Sequence, residues 1–177
     1  MNTKSVLLTL LLTFTTGASA FGSDDPVLIQ KLRDAKFTLQ DAVAFAERTS
    51  GPATSAKFEM DGNQLVFSVY TAPQGLDASP EETDLTELAG SATALPIQGK
   101  AVVFTDKEHI ARASVHMTLM QLSGQSLQDV INEALKRQPG LVFSVSNPMV
   151  RNHEAVADVS ILTSKNKVVV VAIELQD

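Results

Sequence analysis

Apolar residues in this chain follow two different periods. Leu39, Ala42, Val43 and Ala46 recur at the i, i+3, i+4, i+7 spacing of a single helix face, and Leu127, Val130, Ile131, Ala134 and Leu135 form a second such stripe. Thr38 and Ser126 stand at the N-cap positions, and Asp41 sits where a weak capping box needs it. The two openings read alike: Thr38-Leu39-Gln40-Asp41-Ala42-Val43 and Ser126-Leu127-Gln128-Asp129-Val130-Ile131. Gly51-Pro52 stops the first helix and Pro139-Gly140 the second. Ahead of both, Asp25-Pro26 reads as a cap with proline at the first helical position of a short helix, Val27 to Arg33.

Between and after the helices the period drops to two. Ala56, Phe58 and Met60 alternate with Lys57 and Glu59, Asp61-Gly62 is a hairpin signal, and Leu65, Phe67 and Val69 alternate on the return, with Val66, Ser68 and Tyr70 on the other face. Residues 73–98 read as an exposed acidic insertion, with a short helix from the Ser79 cap to Ala89 and Gly90 as its stop. Strand pairing resumes at Ala101 to Thr105. Asp106-Lys107-Glu108 is expected to turn, and His109 to Met117 to return as a strand with Ala111, Ala113, Val115 and Met117 on its apolar face. Three further strands are expected at Leu141 to Ser146, Ala155 to Leu162 and Lys167 to Leu175. Val168 to Ala172 is apolar on both faces, which marks either a doubly covered strand or an exposed adhesive one.

A helix followed by an antiparallel meander, twice, predicts an α+β fold of two helix-plus-sheet units packed together. The expected divisions are a leader at 1–20, an N-terminal segment with a short helix at 21–36, a first unit at 37–117 carrying the insertion 73–98, and a second unit at 118–177. This organisation resembles the PepSY domain. The first carrying stretch is Phe37 to Ala46 with the Gly51-Pro52 stop and the strands Ser55 to Met60 and Leu65 to Tyr70. The second is Ser126 to Leu135 with Pro139-Gly140 and the strands after it. The resemblance implies a binding or inhibitory role, often toward a peptidase, and brings no enzymatic residues. With the last expected strand ending at Leu175, the chain is not expected to be a propeptide in cis.

Composition narrows the setting. Lys4, the apolar run Val6 to Leu12, Gly17 and Ala18-Ser19-Ala20 form an export signal with cleavage expected after Ala20, and the apolar run is too short to span a bilayer. The expected location is periplasmic or secreted, with no membrane insertion and, as no cysteine follows the cleavage site, no lipid anchor. The absence of cysteine also removes thiol nucleophiles, thiolate zinc sites and disulfides. The net charge of −6 becomes −7 once the leader and its single Lys4 are removed. Such a surface repels phosphate backbones, so nucleic acid is not an expected partner.

Chemistry is sparse in the pattern. On a strand, His109 and His116 would point to opposite faces, and His153 sits in an expected turn, so no metal, cofactor or catalytic residue is assigned. There is no G-x-S-x-G elbow, and Thr54-Ser55-Ala56-Lys57 puts Thr in the nucleophile place of an S-x-x-K pattern. Binding features are clearer. Phe45 lies off its helix stripe, Val66 and Tyr70 could line a sheet face, and Val168 and Val170 sit on a strand able to form a sheet edge. These five residues are the candidate contacts of a non-enzymatic protein that binds another protein and regulates or inhibits a peptidase. The alternative reading is a periplasmic small-molecule or metal-binding protein with its cleft between the two units. A third is a hydrolase with a site assembled from dispersed residues.

Overall fold

The computed structural model describes residues 25–79 and 82–175. The expected leader lies outside the described residues. The structure is α+β, with four helices and one seven-stranded antiparallel sheet among the described residues.

The helices form where caps and stripes coincide. Helix α1 (Pro26–Arg33) starts at Asp25, whose side chain accepts the Val27 amide, and buries Leu28 and Leu32. Helix α2 (Leu39–Ser50) opens with a complete capping box. Thr38 Oγ1 accepts the Asp41 amide at 3.2 Å and Asp41 Oδ2 accepts the Thr38 amide at 2.8 Å. Gly51 ends α2 with φ +86°, and a Cβ there would lie 2.6 Å from the Ala72 carbonyl oxygen, so only glycine fits this exit. Helix α3 covers Lys107–Ser123. Helix α4 (Leu127–Arg137) repeats the α2 opening, with Ser126 and Asp129 exchanging bonds of 3.1 Å each way.

The strands are β1 (Ala53–Asp61), β2 (Gln64–Thr71), β3 (Thr86–Ser91), β4 (Lys100–Val103), β5 (Leu141–Arg151), β6 (Glu154–Leu162) and β7 (Val168–Glu174), in the spatial order β4-β3-β2-β1-β5-β6-β7. Two helices followed by a meander thus occur twice along the chain. The two meanders join edge to edge where Ala56 pairs with Val145 and Lys57 with Ser144. Above that seam α2 touches α4, and Gln128 Nε2 donates to the Gln40 carbonyl at 2.9 Å. Gln40 and Gln128 hold the same place in the two similar openings.

Register sorts the side chains into rows. One row crosses all seven strands as Ala101, Leu88, Val69, Ala56, Val145, Val159 and Val171. Helices α1, α2 and α4 pack on this face, and Leu39, Val43, Leu127 and Ile131 meet Phe58, Phe67, Val69 and Val159 in the main core. The adjacent row, one residue along each strand, reads Lys100, Ala89, Ser68, Lys57, Ser144, Ser160 and Val170. Because strand side chains alternate, this second row faces away from the main core.

Three expectations are corrected. His109 to Met117 is not a returning strand but part of α3. Asp106 caps it by accepting the His109 amide at 2.9 Å, and Gly124 ends it in the left-handed conformation. Its buried Ala113, His116, Met117 and Met120 have helical spacing; the alternation of Ala111, Ala113, Val115 and Met117 follows half of a stripe. The helix expected up to Ala89 is strand β3 in its second half, paired with β2, and Leu85 and Leu88 are buried, so this part of 73–98 belongs to the sheet. The division drawn between 117 and 118 falls inside α3.

Candidate functional site

Two regions hold the candidate residues, and they differ in access. The first lies under α3. Tyr70 shares a face of β2 with Ser68 and Val66 but is buried, in a cluster with Ala72, Leu85, Ala113 and Met117. The Phe104 ring stands edge-on to it with centroids 4.8 Å apart, and the His116 ring lies stacked at 6.4 Å. Phe104 in turn stacks on His109 at 5.3 Å, and His109 Nδ1 is 2.7 Å from Asp106 Oδ2. The helical form of α3 places His109 and His116 seven residues apart along one side, the reverse of the strand expectation.

Electrostatics here follow burial. His116 is 2 % exposed, and its Nδ1 has no hydrogen-bond partner among the described residues. Burial, with help from the nearby Arg112 cation, pushes its pKa down to about 4, so the imidazole is neutral at pH 7. Burial raises the Tyr70 phenol, and Glu87 adds to the shift. The Asp106 carboxyl is held below its ordinary value by the His109 amide it accepts. The phenol and the imidazole are thus both neutral at pH 7 and both buried. No group of three or more His, Asp or Glu is placed to hold a metal ion among the described residues.

The second region is the open part of the sheet. Lys57, Ser144 and Ser160 are half-buried and Val170 is exposed in consecutive strands of the polar row. Lys57 Nζ pairs with Glu59 Oε2 at 2.7 Å, Ser68 donates to Glu87, and Arg151 pairs with Asp158 at 2.7 Å. Small hydroxyls between short ion pairs leave a low surface on which another backbone can lie.

The five sequence candidates divide between these environments. Val66, Val168 and Val170 share the face of the polar row, where Val170 is exposed, Val66 half-buried, and Val168 half-buried against the main core. Tyr70 is packed under α3. Phe45 is half-buried on the opposite side, perpendicular to Phe67 with ring centroids 6.4 Å apart, so it packs against its own sheet. The site residues that sequence reading missed are Lys57, Ser144 and Ser160. Their signal is the polar phase of the same alternation that located the core. His116 was placed on a strand, on the face opposite His109, because α3 was read with period two.

The cleft expected between the halves is replaced by the hydrogen-bonded β1–β5 seam. An open depression of about 550 Å³ lies instead between α3 and the β5–β6 hairpin, lined by Leu119, Leu122, Val150, Leu175, Glu154 and Glu174 among others, with no residue from β1.

No family model matches the chain, and no curated protein matches it. Among solved structures, a protein described as a "putative lipoprotein" from Clostridium difficile 630 is similar, at 17 % identity and TM-score 0.39, over 85 % of this chain and 99 % of that one. A likeness of that degree carries nothing over to this chain. No helix among the described residues is long and apolar enough to cross a membrane.

Proposed function

We propose that this is an exported, non-enzymatic, PepSY-like protein that binds another protein through the open sheet face, and that the partner is a peptidase it restrains. The observation that carries the reading is the polar row from Lys57 through Ser144 and Ser160 to Val170, which crosses the seam between the two meanders beside α3, itself packed on β1 and β5, and keeps these side chains half-buried to exposed. A surface of small hydroxyls and valines flanked by ion pairs offers hydrogen bonds and apolar contact to an extended segment, the way sheet surfaces and edges recognise peptides. The repeated helix-and-meander order supports the PepSY likeness, and the enclosed positions of Tyr70 and His116 support a role without chemistry.

The test uses immobilised protein and the exported proteins of the source cell. The wild type should retain a defined protein partner and slow a co-exported protease, and a Ser144→Arg/Ser160→Arg variant of unchanged thermal stability should lose both. Recovery of the same proteins by wild type and variant, or no effect on any exported protease, would sink the reading.

A further inference from the structure

The two edges of the sheet are unequal. Strand β4 is four residues long; β7 is seven, with the sequence Val168-Val169-Val170-Val171-Ala172-Ile173-Glu174. Native sheets shield such edges with charge, proline or brevity, and a long apolar edge is a site for pairing. Val170 is 58 % exposed.

Backbone direction along β7 follows from the bonds at its ends. The Leu175 amide donates inward to the Ala155 carbonyl at 2.8 Å, and the Lys167 carbonyl accepts the Thr163 amide at 2.9 Å. Odd-numbered residues therefore bond to β6, and Val168, Val170, Ala172 and Glu174 turn their amides and carbonyls outward. Among the described residues, the one outward group with a protein partner is the Ala172 carbonyl, which accepts Arg137 Nη1 at 3.2 Å.

We propose that β7 pairs antiparallel with β7 of a second copy of this chain, with Val170 on the two-fold axis. In that register Val170 exchanges both main-chain bonds with its own counterpart, and Val168 does so with Ala172 of the other copy. Every outward group from 168 to 172 is then satisfied. Charge selects this orientation. Lys165, Lys167 and Arg33, which donates to Asn166 Oδ1 at 3.0 Å from Nε, make the turn end of β7 basic, while Glu174 makes the other end acidic. Antiparallel pairing sets Glu174 opposite Asn166 of the other copy, between the two lysines. Parallel pairing would set like charges together. The same axis extends the row Lys57, Ser144, Ser160, Val170 into its twin, so the open face doubles without turning over. Arg137 must release the Ala172 carbonyl, and it keeps Glu133, 3.3 Å from its Nε.

Sedimentation equilibrium of the mature protein over a wide concentration range tests this. A reversible dimer is expected. Val170→Pro removes an amide that points outward and leaves the β6 ladder intact, so the monomer should fold and the dissociation constant should rise at least about tenfold. Val103→Pro on the β4 edge should leave it unchanged. Arg137→Ala should tighten the dimer by about two- to tenfold, since no latch has to be opened. Glu174→Lys should weaken it and Lys165→Glu added to it should restore it, a readout that holds even if Val170→Pro does not fold. A monomer at every concentration, a Val170→Pro dimer as tight as wild type, or a Glu174→Lys variant without effect overturns the proposal. Mass is read here without any partner protein, so this result and the capture experiment above can fail separately.

Discussion

Two neighbouring rows of the same sheet have opposite fates. Leu88, Val69, Ala56, Val145 and Val159 are buried in the main core under helices, with Val171 packed against them; Lys100, Lys57, Ser144, Ser160 and Val170, in the neighbouring row, are half-buried or exposed, and Ser68 is the buried member of that row. The backbone is shared, and so is the register. What differs is the side chain, and with it the free energy of covering the row. At about 25 cal/mol per Å² of apolar surface, two capped helices gain by covering the valines, whereas burying Lys57 and the serines would leave polar groups to be paired. The comparison teaches that one face supplies stability and the other is free to serve contact. The exception is the part of the second face under α3, which packs on β1 and β5, covers the Tyr70 ring and buries its own His116.

The sharpest way to break this contrast is on the covered side. Phe67, fully buried between Phe37 and Phe45, should cost about 3–5 kcal/mol as Phe67→Ala, measured by urea unfolding. A loss below about 1 kcal/mol would mean that the covered face is not the core.

The covered end at Tyr70 comes next. His116 has a folded pKa of about 4 against an ordinary value of 6.5. Below pH 6.5 the unfolded chain takes up the proton first, so the stability that the neutral imidazole contributes is complete above that pH. It declines as pH falls toward 4, by about 3 kcal/mol in all, and is flat below. His116→Phe should remove this decline relative to wild type, since other titrating groups are common to both proteins. Equal pH slopes for the two proteins between 6.5 and 4 would show that His116 is not enclosed.

The helices that do the covering depend on their caps. Thr38→Ala and Ser126→Ala should each cost about 1 kcal/mol. Because α2 and α4 touch through Gln128 and Gln40, the double variant should depart from additivity by about 0.5 kcal/mol or more. Strict additivity would indicate that the two halves respond independently. Smallest of all, Ser160→Val on the open row should change stability by no more than about 0.5 kcal/mol while altering partner capture.

Much of this was legible before any coordinates. The α2 and α4 caps, their stripes, the Asp61-Gly62 hairpin and the last three strands all rest on neighbours within a few residues, and there the local signal and the final structure agree. Helix α3 was not read because Ala111 to Met117 fits both periods, and what separates them is the Asp106 cap and burial against Tyr70. Strand β3 was not read because Ser79 resembles a helix start, whereas Leu88 lies opposite Val69 across a loop of many residues. Of the candidate contacts, Val66, Val168 and Val170 were placed on the open face, while Phe45 and Tyr70 found aromatic neighbours that no short-range pattern announces.

The chain by itself thus determined which segments could be capped helices, which residues alternate, the overall acidity and the lack of thiol chemistry, because each depends on composition or on contacts a few residues apart. Only the tertiary structure decided that the two meanders merge at Lys57 and Ser144, that α3 closes over Tyr70 and buries its own His116, and that β7 is left as an edge among the described residues. Those outcomes depend on pairings between residues many positions apart, where the sum of burial and hydrogen bonding over the whole sheet selects one arrangement from several that the local pattern allows.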